Sequence, residues 1–288
     1  MWSGKNSRVS SELFACRDDS NTDAGFLSSI RAAWVFEDQA SKNALKAFTL
    51  KLTSEKAHAL GWTFSESDGN IMEQFKALMF ASAGNSGDKK IIAAAQEMFA
   101  KFIAGDREAV HPNIRGAVFS IVLQNGGVKE YEAILNEYRT AKQSDERNTA
   151  LRSIGRSKNP ELIQRTIDLT FKSDEVRTQD IYLPMSGLRA HKEGIEALWK
   201  AMCENWNMLV AKLPPGLSML GTVVQICAAS FTHEEHAQMI QDFFKGKSTK
   251  GFDQGLAQSL DSVRAKSMWL KRDKSDVAEW LKKEGFEA

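Results

Sequence analysis

Two histidines bracket two acids in His233-Glu234-Glu235-His236, residue types from which a zinc site or an acid–base pair can be built. A helical zinc motif needs its histidines at i and i+4, with a glutamate between them as base. Here the spacing is i, i+3, so the rings diverge. Thr232 precedes the segment and Glu235 follows three residues later, the pattern of a capping box in which each side chain takes the other's backbone N–H. Acids in a first turn also suit the positive end of the helix dipole. Capping and surface polarity therefore outweigh metal binding. His58, His111 and His191 are isolated, so no zinc triad assembles. Gly246-Lys247-Ser248 resembles the tail of a phosphate loop, but the required earlier glycine is Gln241 and the flank before it is helical. There is no Gly-x-Ser-x-Gly elbow. Cys16, Cys203 and Cys227 are too scattered for a disulfide framework or a metal knuckle, and a single Cys among helices reads as a small hydrophobe.

Arg147, Arg152, Arg156 and Lys158 form a local basic run, with Arg152 and Arg156 four apart and able to share a helix face. One reading is a solvated surface, because exposed charge costs little. The other is a cationic patch on a concave face that holds an anionic group such as a peptide carboxylate. Trp34, Trp62, Trp199, Trp206, Trp269 and Trp280 read as packing anchors between helices, not as a platform for bases.

The elements that must position these residues are helices. Ile71, Met72, Phe75, Leu78 and Met79 make one apolar stripe; Ile114, Val118, Ile121 and Val122 make another. Val128, Tyr131, Ile134, Leu135 and Tyr138 continue the period, as do Leu162, Ile163, Thr166, Ile167 and Thr170. Asn159-Pro160 and His111-Pro112 read as helix starts. Gly61, Gly84, Gly87, Gly105, Gly126, Gly127, Gly155 and Gly246 read as stops or turns. The 288 residues contain only 5 prolines, which suits a chain that is mostly helix. No window alternates like a strand between hairpin turns. The expected fold is all-α, about a dozen helices in short-looped antiparallel hairpins. Such a series stacks into an α-solenoid, with a degenerate, HEAT-like repeat. Residues 1–28 are expected to be poorly ordered or diverged, and 29–288 to form a single helical domain.

A net charge of +1 gives no broad attraction to nucleic acid or anionic lipid. No apolar run approaches the roughly 18 residues that span a bilayer. The expected compartment is the cytoplasm.

Several stretches resemble the C-terminal helical domain of puromycin-sensitive-type zinc aminopeptidases, especially the fungal branch. They are LKAFTLKLTSEKAHALGW (45–62), HPNIRGAVFSIVLQNGGVKEYEAILNEY (111–138), ALRSIGRSKNPELIQRTIDLTF (150–171), DEVRTQD (174–180), LWKAMCENW (198–206) and WLKRDKSDVAEWL (269–281). They occur in family order. The resemblance implies a bowl of HEAT-like pairs that closes over a catalytic domain and encloses the peptide. It puts Arg156 where some relatives hold an inward-facing basic residue near the peptide C-terminus, with Arg152 as a companion. The partners implied are a peptide and an aminopeptidase catalytic domain, in cis or in trans.

The family's His-Glu-x-x-His zinc helix, the glutamate ligand after it, its Gly-Ala-Met-Glu-Asn stretch and its catalytic tyrosine belong to earlier domains, and this sequence does not contain them. Zinc is expected in that catalytic domain, with no cofactor, metal or catalytic residue in this chain and no peptidase activity from it alone. The alternative is a free-standing solenoid scaffold that binds another protein. A small metalloenzyme built on His233 and His236 has the spacing against it.

Overall fold

The computed structural model describes residues 38–65, 67–213 and 218–286, so the expectation for residues 1–28 and for Trp34 lies outside the described residues. Thirteen α-helices and two 3-10 turns, with no strand, make up the regular structure among the described residues. Contacts gather them into two compact units, one with residues up to Asn125 and from Arg272 on, the other with Gly126–Lys271.

The first unit begins with α1 (Gln39–Leu60), α2 (Asn70–Asn85), α3 (Lys89–Ile103) and α4 (Pro112–Asn125). Asp38 caps α1 by accepting the Ser41 N–H at 2.7 Å, and Gly61 ends it at a φ of 65° that a side chain would resist. Asp88 performs two tasks. Its Oδ1 accepts the Lys90 and Ile91 N–H groups at 3.0 Å each, capping α3. Its Oδ2 accepts the Ser54 hydroxyl and lies 3.0 Å from His58 Nε2, both on α1. Burial works against ionisation of Asp88, but the Ser54, Ile91 and His58 hydrogen bonds prevail and hold its carboxyl below the usual range. The core is aromatic. Phe119 on α4 is edge-on to Phe99 and Phe102 at 5.7 Å each, and Trp280 and Phe286 sit edge-on to Phe48 at 5.1 and 5.3 Å. Each fully buried ring contributes about 2–3 kcal/mol.

The second unit holds α5 (Val128–Thr140), α6 (Ser144–Ile154), α7 (Pro160–Phe171), α8 (Tyr182–Leu188) and α9 (Lys192–Glu204). After them come α10 (Trp206–Lys212), α11 (Ser218–Ala228), α12 (Glu234–Phe244) and α13 (Asp253–Lys283), the last contributing from Arg272 to the first unit. Within each unit helices pack on the next and the next-but-one: α1 on α2, α2 on α4, α5 on α6, α6 on α8, α7 on α9. That ladder of near-neighbour contacts is the solenoid-like, all-α arrangement the period predicts. The predicted stripes are largely interior: Ile114, Val118, Ile121, Val122, Tyr131, Ile134, Leu162, Ile163, Thr166 and Ile167 are all buried. The tryptophans anchor as expected. Trp199 meets Phe231 and Phe243, and Trp206 meets Phe243, Phe244 and Phe252 at 5.3–6.1 Å.

Three local readings change. Gly84 does not stop a helix. It lies inside α2, where an added Cβ would come within 2.4 Å of Ile121 Cδ1, so it is glycine for close packing. Helix α12 starts at Glu234 with His233 as the residue before its first turn, so Thr232 is one position too early to cap it. Ile71 and Met72, read as part of a core stripe, are 66% and 41% exposed in the first turn of α2, while Phe75 and Met79 further along it are buried.

A close backbone contact in the second unit joins α6 to α8. A Cβ on Gly187 would lie 2.3 Å from the Arg152 carbonyl oxygen and 2.9 Å from Gly155 Cα; one on Gly155 would meet the Pro184 carbonyl oxygen at 2.3 Å. Both obstacles are backbone, which cannot rotate away. Gly187→Ala is expected to cost about 3 kcal/mol, the upper range for overpacking, and to lower the thermal midpoint by several degrees. An unchanged midpoint would show that the helices separate freely there.

Candidate functional site

The basic run sits on and beyond α6, and its members do different work. Arg147 is engaged: its Nη1 donates to the Ala141 and Lys142 carbonyls at 3.0 and 3.2 Å and its Nη2 to Ser144 Oγ at 3.1 Å. It thereby satisfies carbonyls at the end of α5 and folds the connection into α6. Arg152 lies exposed in the last turn of α6. Arg156 is half-buried in the turn past the helix end, with its N–H donating to the Ser153 carbonyl at 2.9 Å. The four-residue spacing therefore straddles the end of α6 instead of running along one helix face. Lys158 is exposed, in the segment leading to Asn159, whose Oδ1 accepts the Glu161 N–H at 2.9 Å and caps α7.

The backbone between the two arginines is held from two directions. Gly155 touches α8 through Gly187 and Pro184. From the other side comes His191, the residue before α9. Its Nε2 lies 3.1 Å from the Gly155 carbonyl oxygen, and its Nδ1 accepts the Gly194 N–H at 3.1 Å. Those two contacts define a neutral ring protonated at Nε2, with Nδ1 capping α9. Gly194 is required there, since a Cβ would come within 2.1 Å of the Leu188 carbonyl oxygen. Burial pushes the His191 pKa below 6.5, and the Gly155 carbonyl and the Glu193 carboxylate, 3.3 Å from Nδ1, only partly offset it.

His191 was one of three histidines that the sequence left without a role. A histidine is an unusual cap, so no motif marked it. The signal lay in Gly155, Gly187 and Gly194, three glycines at one junction. The other two also have structural places: His58 beside Asp88, and His111 stacked on Phe64 with ring centroids 4.1 Å apart.

Elsewhere the chemistry is muted. His236 lies against the Phe231 ring at 4.4 Å, tilted 26°, and its centroid is 5.7 Å from that of His233. A ring committed to an aromatic face, with its neighbour at i−3, does not suit a zinc ion. Among the described residues no group of three or more His, Cys, Asp or Glu is placed to hold a metal. Burial raises the Cys203 thiol to about 11 and raises that of Cys227 further, so both stay protonated. Lys266 is brought down to about 8, first by burial and then by Arg189, and its Nζ donates to the Ala229 carbonyl at the end of α11. A cleft of about 270 Å³ opens between α7 and α9, lined by Ile163, Ile167 and Ala201 with Lys172, Lys200, Glu193 and Glu204 around them. Lys172 pairs with Asp168 at 2.8 Å and Lys200 lies 3.9 Å from Glu204, which leaves the cleft little net charge. No helix among the described residues is long and apolar enough to cross a membrane.

Most of the chain corresponds to known proteins. The family described as the ERAP1-like C-terminal domain matches residues 24–265. Aminopeptidase 2 of Candida albicans is 47% identical over 255 residues, which is 88% of this chain and 28% of that protein. The mitochondrial aminopeptidase 2 and the alanine/arginine aminopeptidase of Saccharomyces cerevisiae are 43% and 39% identical, over 90% and 91% of this chain and 27% and 30% of their own lengths. The chain thus spans under a third of these relatives. With a match across most of the chain, on an all-helical framework of the expected kind, the protein belongs to the ERAP1-like C-terminal domain family found in aminopeptidases.

Proposed function

We propose that this chain is the substrate-chamber and lid domain of a zinc aminopeptidase, built of HEAT-like helical pairs. In this reading it contributes peptide binding and chamber closure to a catalytic domain in cis or in trans and supplies no catalytic group itself. The observation that carries the reading is the match to the C-terminal domain family together with the small share of each relative that it covers. The metal in this reading belongs to that other domain, because the residues here that most resemble a zinc set, His233 and His236, do not fit one.

Two features of the chain support the details. Arg152 and Arg156 flank a backbone fixed at Gly155, which suits a site that must present cations without rearranging. Ile71 and Met72 open α2 and Ile103 ends α3, all 41–66% exposed. Asn113 at the start of α4 donates to Glu73 at 2.7 Å, which brings the first turns of α2 and α4 together. Exposed apolar residues at helix ends suit a docking face.

Two outcomes test this. A peptide with a free C-terminal carboxylate should bind the chain, measured by fluorescence anisotropy, and amidation of that terminus should weaken binding about 10–100-fold, the worth of a charge-assisted hydrogen bond. Arg156→Ala should cost a similar factor against the acid peptide and little against the amide. Equal binding of acid and amide would remove the arginines from the site. Separately, the purified chain should leave an aminoacyl reporter uncut, and neither zinc nor a chelator should move its thermal midpoint. Chelator-sensitive hydrolysis would refute the division of labour.

A further inference from the structure

Lys266 is an amine for which the proposed function has no use. It lies in α13 on the face that carries Val263 and Leu270, 0% and 7% exposed, so its stem starts among buried positions while the residue itself stays partly exposed. Nζ donates to the carbonyl of Ala229, the residue after α11. The charge that acts on it is a like one, Arg189 at the end of α8, and this repulsion adds to burial in bringing the ammonium down to about 8. The acids of this stretch are drawn to another cation. Arg264, two residues earlier and on another side of the helix, lies 3.5 Å from Glu234 of α12 and 3.9 Å from Asp261. Withdrawal from water beside a second cation is the condition that makes a lysine nucleophilic near neutral pH.

We propose that Lys266 is an acyl-acceptor site, which takes a small acyl group from an activated thioester and becomes an Nζ-acyl lysine. The lone pair of the neutral amine adds to the thioester carbonyl carbon and forms the C–N bond. The adduct then breaks its C–S bond and expels the thiolate, which takes up the proton that nitrogen loses. Amine and thioester thus give amide and thiol, with nothing oxidised or reduced. The site is independent of the peptide reading, since Arg152 and Arg156 play no part in it.

The product suits its surroundings. An amide keeps one N–H, which can still donate to the Ala229 carbonyl, so the end of α11 remains satisfied. It carries no charge, so burial and Arg189, which oppose the ammonium, no longer count against it. An exposed lysine has neither the activated amine before the reaction nor this relief after it. Cys227 at the end of α11 also feels Arg189, but burial keeps its thiol protonated, so it does not compete for the acyl group. Arg264 shares its charge with Glu234 and Asp261, and the amine is left as the group that titrates near pH 8 at this junction.

The test treats the full chain with the acetyl thioester of N-acetylcysteamine, a small uncharged donor, and follows each lysine by peptide mass spectrometry across a series of pH values. Lys129 and Lys250, both exposed, serve as references. At pH 7.5 Lys266 should react about tenfold faster than either. Its neutral fraction is more than about a hundredfold larger, and lower basicity and burial take back part of that gain. Its rate should level off above pH 8, while the rates of Lys129 and Lys250 go on rising. Arg189→Gln, at an exposed position, should move that inflection to higher pH and slow Lys266 about threefold at pH 7.5, as half a pKa unit requires, with Lys129 unchanged. The acetylated chain should keep its helical circular dichroism. Labelling of Lys266 no faster than that of Lys129 and Lys250 would overturn the proposal, as would a rate that climbs with theirs and never levels. Acetylation that unfolds the chain would overturn the fit of the product to its site. Should Arg189→Gln fail to fold, the parent's rate and its pH profile decide the matter by themselves.

Discussion

Much of the second unit depends on one backbone approach, that of Gly155 to Gly187. Helices packed through side chains stand 8–10 Å apart. Here a carbonyl oxygen and a Cα occupy the space where side chains would begin, 2.3 and 2.9 Å from the position of a Gly187 Cβ. Such closeness fixes the end of α6 relative to α8 in both translation and rotation. The turn that carries Arg156 begins at that point, so its geometry follows from the crossing and needs few interactions of its own. His191 adds the third constraint from α9, and its two ring nitrogens turn a packing contact into an oriented one.

The first unit solves a similar problem with a different chemistry. There a carboxylate, Asp88, closes the N-terminus of α3 with one oxygen and reaches Ser54 and His58 of α1 with the other. In both places a residue at the head of a helix satisfies orphan N–H groups and at the same time ties that helix to an earlier one. The difference lies in charge. Asp88 works ionised, with three kinds of donor around it, whereas His191 works neutral because it is shut away from water.

The period of apolar residues made the helices legible, and burial of Ile114, Val118, Ile121 and Ile167 follows that period closely. Cap chemistry was legible where it used ordinary residues, as at Asn159-Pro160. It failed where it did not. Thr232 looked like a cap and is not one, while His191 is a cap and carries no cap signature. Glycines were readable as punctuation but not as spacers, so Gly84 was assigned a stop when its missing Cβ makes room for Ile121. Arg152 and Arg156 could be singled out by type and spacing. That Gly155 between them is pinned from two directions depends on residues 32 and 36 positions away, which no local pattern encodes. Arg147 belonged to the same run, yet its charge is absorbed by the carbonyls that close α5.

The aromatic closure at the end of the first unit has a consequence in time. Phe48 on α1 is covered edge-on by Trp280 and Phe286, which the ribosome adds more than two hundred residues later. At about 5–20 residues per second, that interval is on the order of 10–50 s. Through it the nascent α1 keeps a large apolar ring without its final cover, while the whole of the second unit is made and can fold. The order of synthesis therefore runs against the order of closure, and the earliest helix of the described chain is among the last to be sealed.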